Sequence, residues 1–269
     1  MPILHLDDAD ISYETYGEGP PFLFCSATST SGDVWKLCQV PEFSRDHQVI
    51  VFDQRGVGRS PARSTDFSTA RLAADAAALL EHLKAPPAIV LGHSNGGRVA
   101  QLLALDYPQR LSKLILASSG GTHKKTNGIP LSVCMELLNK GYERSLREHA
   151  IEAGFTKAFA AAHPQEVERF LAVRLADPPP VEIYLRHVIG RQEYDAGDRL
   201  KTIAVPTLVM VGDDEGHGQR GDSSHLDFAK SLAAEIPGAK LVVLPDQGHY
   251  YYFSDAATTN RIIREFISS

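Results

Sequence analysis

The chain has 269 residues, 43% hydrophobic and 22% charged, an ordinary globular balance with room for one large α/β core and an inserted subdomain. Its formal net charge of −6 argues against nucleic acid or an anionic membrane as partner. Three cysteines, Cys25, Cys38 and Cys134, make an odd count with no metal-ligand spacing, which argues against a disulfide framework or a zinc site.

The opening residues carry acid where a secretory signal carries basic and then apolar residues, and no apolar run approaches 18 residues, so a cytoplasmic setting is expected. Short apolar runs then alternate with helix-period segments, the pattern of a mostly parallel central sheet flanked by helices. Strands are predicted over 22–25, 48–53, 88–91, 113–118, 207–211 and 240–244, several of them uninterrupted apolar runs, as strands buried on both faces require. Helices are predicted over 68–83, 97–107, 224–236 and 256–266; in the first, the spacing of Leu72, Asp75, Leu79, Leu80 and Leu83 leaves one apolar face.

The rhythm breaks over 122–199. Helical patterns at 131–138, 143–153, 165–175 and 181–189 are punctuated by Gly154, Pro164 and Pro178-Pro179-Pro180, and no strand pattern intervenes. A helical insertion between two strands of one sheet is expected. No internal repeat is visible.

The most informative run is Ala88-Ile89-Val90-Leu91-Gly92-His93-Ser94-Asn95-Gly96-Gly97: an apolar strand, a tight turn and a helix start. Gly92-x-Ser94-x-Gly96 fits the nucleophile-elbow pattern, in which a serine is forced into a sharp strand-to-helix turn. Only small flanking residues leave room for such a turn. It sets the serine at a helix N-terminus, where free N–H groups and the helix dipole favour developing negative charge, and makes Asn95 N–H a natural oxyanion donor.

With this run the chain resembles the α/β-hydrolase superfamily almost from end to end. Gly17-Glu18-Gly19-Pro20-Pro21 before an apolar strand resembles the family's entry to its oxyanion strand. Asp53-Gln54-Arg55-Gly56-Val57-Gly58-Arg59-Ser60 resembles its D-x-R-G-x-G-x-S turn, read here as ordering the loop near the site and not as catalytic. Tyr107-Pro108 followed by Leu114-Ile115-Leu116 resembles the helix exit and next strand. The resemblance implies an α/β-hydrolase core at 1–121 and 200–269 with an all-helical cap at 122–199, and substrate bound at their boundary.

A serine hydroxyl is a weak nucleophile and needs a base, normally histidine oriented by a carboxylate. Of eleven histidines, His249 follows the last strand in Leu244-Pro245-Asp246-Gln247-Gly248-His249, where the resemblance places the base. His93 adjoins Ser94 on a turn that aims neighbouring side chains apart, and His5, His47, His82, His149, His163 and His187 carry no other catalytic signature. The family's chain order puts the acid between Ser94 and His249, in Gly212-Asp213-Asp214-Glu215-Gly216-His217. The usual spacing lands on Glu215, with Asp214 the rival if the register slips by one. Ser26-Ala27 stand where the family usually has His-Gly, so the second oxyanion donor would be Thr28 N–H, paired with Asn95 N–H. Hydroxyls of Ser26, Thr28, Ser29, Thr30 and Ser31 either help to bind a polar substrate or solvate a loop. In the Tyr250-Tyr251-Tyr252-Phe253 run one or two rings could line the pocket, though aromatics beside a helix start more often serve packing.

The expected activity is hydrolysis of a small-molecule carboxylic ester or lactone through an acyl-enzyme, with no cofactor or metal. Carbon–carbon bond hydrolysis of a diketone-like substrate is the enzymatic alternative, and a triad-bearing sensor with slow turnover is the alternative from another class. Oligomeric state is left open by the sequence.

Overall fold

The computed structural model describes residues 1–121, 131–214 and 225–269. Eight strands, β1 (Ile3–His5), β2 (Asp10–Tyr16), β3 (Pro21–Cys25), β4 (Gln48–Phe52), β5 (Ala88–His93), β6 (Leu111–Ala117), β7 (Thr207–Gly212) and β8 (Lys240–Leu244), form one sheet in the order β1-β2-β4-β3-β5-β6-β7-β8. The strands from β3 onward run parallel, and only β1 and β2 are antiparallel. Sequence periodicity reached the six parallel strands and missed these two edge elements. β1 has three residues with one buried, too short to alternate visibly.

The helices are α1 (Gln39–Phe43), α2 (Thr69–His82), α3 (Asn95–Asp106), α4 (Leu131–Lys140), α5 (Tyr142–Gly154), α6 (Lys157–Ala162), α7 (Pro164–Arg174), α8 (Val181–Gln192), α9 (His225–Glu235), α10 (Tyr251–Ser254) and α11 (Ala256–Ile267). The expected helices over 68–83, 97–107, 224–236 and 256–266 correspond to α2, α3, α9 and α11, with Ser224 outside the described residues. Between β6 and β7 the chain runs through α4 to α8 without a strand among the described residues. α6, capped by the Thr156 side chain on Phe159 N–H, was not anticipated.

Strand alternation sorts the core into two layers. Leu23, Cys25, Ile50, Val90, Leu114, Leu116, Val209 and Val211 face α2, α3 and α9, while Phe22, Phe24, Val49, Ile89, Leu91, Ile115, Leu208 and Met210 face the other way. The second layer also takes in Trp35 and Tyr250–Phe253, and from α5 and α7 it takes in Ala150, Phe170 and Leu171. The helical segment thus shares a core with the sheet, each large buried side chain contributing about 1.5–3 kcal/mol. Cys25 is fully buried, and burial pushes its thiol up to about 12, as expected of an inert small hydrophobe.

Asp75 lies on the apolar face of α2 for a specific reason. Fully buried Arg55 donates from Nε to Asp75 Oδ2 at 2.6 Å and from Nη2 to Asp75 Oδ1 at 2.7 Å, and binds Asp8 at 3.0 and 3.2 Å. Burial alone would disfavour the guanidinium; the bonds from Asp75 and Asp8 outweigh it and hold Arg55 charged. His187 on α8 donates from Nε2 to the Arg55 carbonyl at 3.0 Å, and Thr69 Oγ1 donates to Gly190 O at 3.1 Å. One turn therefore ties α2, the amino-terminal strands and the last helix of the inserted segment together.

Replacing Asp75 with Asn should leave buried Arg55 with only the partly exposed Asp8 as counter-charge and cost on the order of 3 kcal/mol. Equilibrium urea unfolding would measure it, and a loss within error of zero would show that Asp8 alone suffices.

Candidate active site

Pairing in the parallel sheet aligns Cys25 with Gly92, His93 with Ala117 and Gly212 with Leu244. The residues that follow, including Ser26, Ser94 and Asp213, and the loop to His249, collect along the carboxyl edge, where ligands bind in open α/β sheets.

Ser94 caps α3 with φ 56° and ψ −117°, a left-handed conformation costly for any residue with a side chain, of order 1–3 kcal/mol. The turn is held by Ser94 N–H on Ala117 O at 2.9 Å and by Gly97 N–H on Ser94 O at 3.1 Å. Its glycines are steric necessities. A Cβ on Gly92 would lie 2.2 Å from Gly96 O, and one on Gly96 would lie 2.2 Å from Cys25 O and 2.5 Å from Ser26 O. Ser94 itself is half-buried and Asn95, first residue of α3, is buried.

Of the two uses expected of the hydroxyls after β3, binding a polar substrate or solvating a loop, burial speaks against the second. Ser26, Ser29 and Thr30 are 1–2% exposed and Thr28 is 9% exposed. Ser26 Oγ accepts from Trp35 Nε1 at 2.9 Å, its carbonyl accepts from Gln54 Nε2 at 2.9 Å, and Thr30 Oγ1 donates to Thr28 O at 3.1 Å. The Ser26 and Thr30 hydroxyls serve the loop's own order, while Ser29 Oγ is buried with no hydrogen-bond partner among the described residues. Asp53 joins in: its Oδ1 accepts from Gly32 N–H at 2.9 Å and its Oδ2 from Arg59 N–H at 3.1 Å, so the D-x-R-G-x-G-x-S turn does order the loop beside Ser94.

His249 is buried at the end of the loop after β8. His93 Nε2 donates to the His249 carbonyl at 2.9 Å, with the two rings 4.5 Å apart. The residue before Ser94 thus holds the backbone of His249. The same loop is pressed onto α5: Tyr250 N–H donates to Gly154 O at 2.8 Å, and a Cβ on Gly154 would lie 2.2 Å from the Tyr250 ring. Tyr250 to Phe253 are all buried, as packing residues. Asp214 is half-buried in the turn after β7, its N–H on Gln247 O at 3.1 Å, one residue from Gly248 in the His249 loop. Glu215, the first choice for the acid, lies outside the described residues.

Three arginines and a histidine surround this edge, and sequence reading singled out none of them as functional. Arg98 comes from α3, Arg174 from α7, Arg191 from α8 and His149 from α5. Arg174 donates to Ser29 O at 3.1 Å and Thr28 O at 3.2 Å; Arg191 donates to Thr28 Oγ1 at 3.3 Å. Burial, then the charges of His149, Arg191 and Arg98, hold His249 down to about 3, so its ring is neutral at pH 7. No motif marks these residues, since an amphipathic helix with basic residues looks the same when they face solvent. No described helix is long and apolar enough to cross a membrane.

A family model described as alpha/beta hydrolase fold matches residues 20–256. A putative carbamate hydrolase, RutD, of Pseudomonas syringae pv. syringae is 28% identical over 256 residues, covering 94% of this chain and 96% of that protein. The 3-oxoadipate enol-lactonase 2 of Acinetobacter baylyi is 28% identical over 220 residues, covering 79% and 80%. Among solved structures, Est816, an N-acyl homoserine lactone degrading enzyme, superposes with a TM-score of 0.84 at 30% identity, covering 98% of this chain and all of that one.

The neutral histidines make stability depend on pH. His187 is fully buried with Nδ1 lacking a partner among the described residues, and burial pushes it down to about 4. A folded pKa below the unfolded value means that stability is fully present above the ordinary 6.5 and is lost as pH falls toward about 4, because the unfolded chain binds the extra proton. His187 and His249 should each contribute a slope of roughly 1.4 kcal/mol per pH unit within that window. Chemical unfolding across it should show the slope and show it reduced by about one proton in His187→Gln; an identical slope in both proteins would refute the assignment.

Proposed function

The chain belongs to the alpha/beta hydrolase fold family, and from that premise we propose that it hydrolyses a small-molecule carboxylic ester or lactone with Ser94 as nucleophile and His249 as general base. The observation that carries this reading is the strained turn at Ser94, built of glycines that admit no side chain, with its neighbour His93 bonded to the backbone of His249. Strain of this kind persists where the surroundings over-determine it, and it presents a hydroxyl at a helix N-terminus.

In the proposed cycle Ser94 Oγ attacks the carbonyl carbon as His249 takes the hydroxyl proton. The tetrahedral oxyanion is held by the backbone N–H groups of Thr28 and Asn95, worth about 10²–10³ in rate for each donor. His249 returns the proton to the leaving alkoxide, which departs, or in a lactone stays attached by its other end. Water then attacks the acyl-enzyme with His249 again as base, releasing the carboxylic acid and restoring Ser94. A carboxylate from Glu215, with Asp214 as the alternative, orients the imidazole and stabilises its charged form. The helices between β6 and β7 cap the site and bring substrate-facing groups to it. Two of the similar proteins, an enol-lactonase and an acyl homoserine lactone degrading enzyme, support lactones and esters as the first substrates to try. No cofactor enters the cycle.

A fluorophosphonate should label the protein once, at Ser94, and Ser94→Ala should abolish both labelling and turnover of an ester and lactone panel. Labelling mapped to another residue would sink the nucleophile assignment. A single stoichiometric reaction without further cycles would favour a sensor instead.

Glu215→Gln should lower kcat by about three orders of magnitude and Asp214→Asn by far less. The reverse pattern would move the acid to Asp214.

A further inference from the structure

Arg174 and Arg191 both reach the loop after β3, and the structure uses them differently. Arg174 donates both Nη groups to backbone carbonyls, of Ser29 and Thr28, and so braces the loop. Among the described residues Arg191 makes a single hydrogen bond, from Nη1 to Thr28 Oγ1 at 3.3 Å. Neither forms an ion pair with a carboxylate among the described residues, in contrast to Arg55 with two aspartates and Arg264 with Glu42 and Asp46.

Arg191 is half-buried, and burial pulls its pKa below the ordinary arginine value. Its charge is felt at His249, His149 and Arg98, so it stands within electrostatic reach of the proposed base. The carboxylates felt at His149 are Glu136 and Glu152, and Glu136 pairs with Lys140 at 3.7 Å. A cation drawn out of water beside other cations costs several kcal/mol unless an anion completes it. A planar guanidinium with an unused N–H edge matches a carboxylate, which it binds through paired hydrogen bonds.

We propose that Arg191 is a substrate-binding residue for a carboxylate carried by the substrate, so that the natural substrate is an ester or lactone that is also a small organic acid. This rests on the reading of Ser94 as nucleophile. Thr28 links the two: its hydroxyl holds Arg191 and its backbone N–H is the proposed oxyanion donor, so the carboxylate and the scissile carbonyl of one substrate would lie a few bonds apart.

The test compares mono-4-nitrophenyl adipate, which carries a free carboxylate, with its neutral methyl ester. The anionic probe should be preferred in kcat/KM by about 10- to 100-fold, the worth of one or two bonds to a charged group. In Arg191→Gln that preference should vanish through KM. Arg191→Lys, which keeps the charge without the planar fork, should retain part of it and guards against a folding defect in the glutamine variant. Arg174→Gln should lower both probes by the same factor, because it acts through the loop. Equal turnover of the two probes by the wild-type protein, or an unchanged preference in Arg191→Gln, would overturn the proposal while leaving the serine hydrolase intact. Should neither probe be turned over, the reading of Ser94 fails, and calorimetric titration with glutarate still decides on Arg191. Saturable binding weakened at least about tenfold in Arg191→Gln supports the subsite, and binding that is absent or equal in both proteins overturns it.

Discussion

Backbone meets backbone without intervening side chains where β5 turns into α3, and the rest of the site is built on that contact. Gly96 presses on the carbonyls of Cys25 and Ser26, while Gly92 presses on Gly96. The approach is closer than any Cβ allows, so β3, β5 and α3 are locked in one arrangement and Ser94 is left in a conformation it would not choose alone. The cost is met by the surrounding core, in which both faces of β3, β5 and β7 are buried.

Once that contact is fixed, the loop after β3 runs beside Ser94 and must satisfy its polar groups without water. It does so with Trp35, Gln54 and the Asp53 turn from the core side, and with Arg174 and Arg191 from the helical segment. The arginines thus join two parts of the chain that are distant in sequence. Arg191, with Arg98, also lies within electrostatic reach of His249, where burial and nearby positive charge lower the imidazole pKa and keep the ring neutral. Arg55 performs a comparable joining role deeper in the fold, but there the charge is fully paired. Arg191, by contrast, has no carboxylate partner among the described residues, which makes it a candidate ligand-binding group and not a structural hub.

Much of this was legible in the sequence for identifiable reasons. Uninterrupted apolar runs gave the parallel strands because burial on both faces leaves no polar positions. The Gly92-x-Ser94-x-Gly96 spacing announced the turn because it records a steric requirement within five consecutive residues. Asp75 could be seen on an apolar face but not explained, since its partner Arg55 lies twenty residues away on a separate turn. His93 was set aside because its side chain points away from its neighbour's; its bond to the His249 carbonyl joins positions 156 apart, and no local pattern encodes that.

What the sequence determined by itself is therefore what short-range sterics and periodicity govern: the sheet, the turn at Ser94, and the location of the last-strand loop that carries His249. Only the tertiary structure decided how the serine and threonine run after β3 is used, which histidines surround His249, and that Arg191 stands beside Thr28 with no acidic partner among the described residues. Those facts depend on which distant segments pack together, and the same helical patterns would serve equally well with their arginines in solvent.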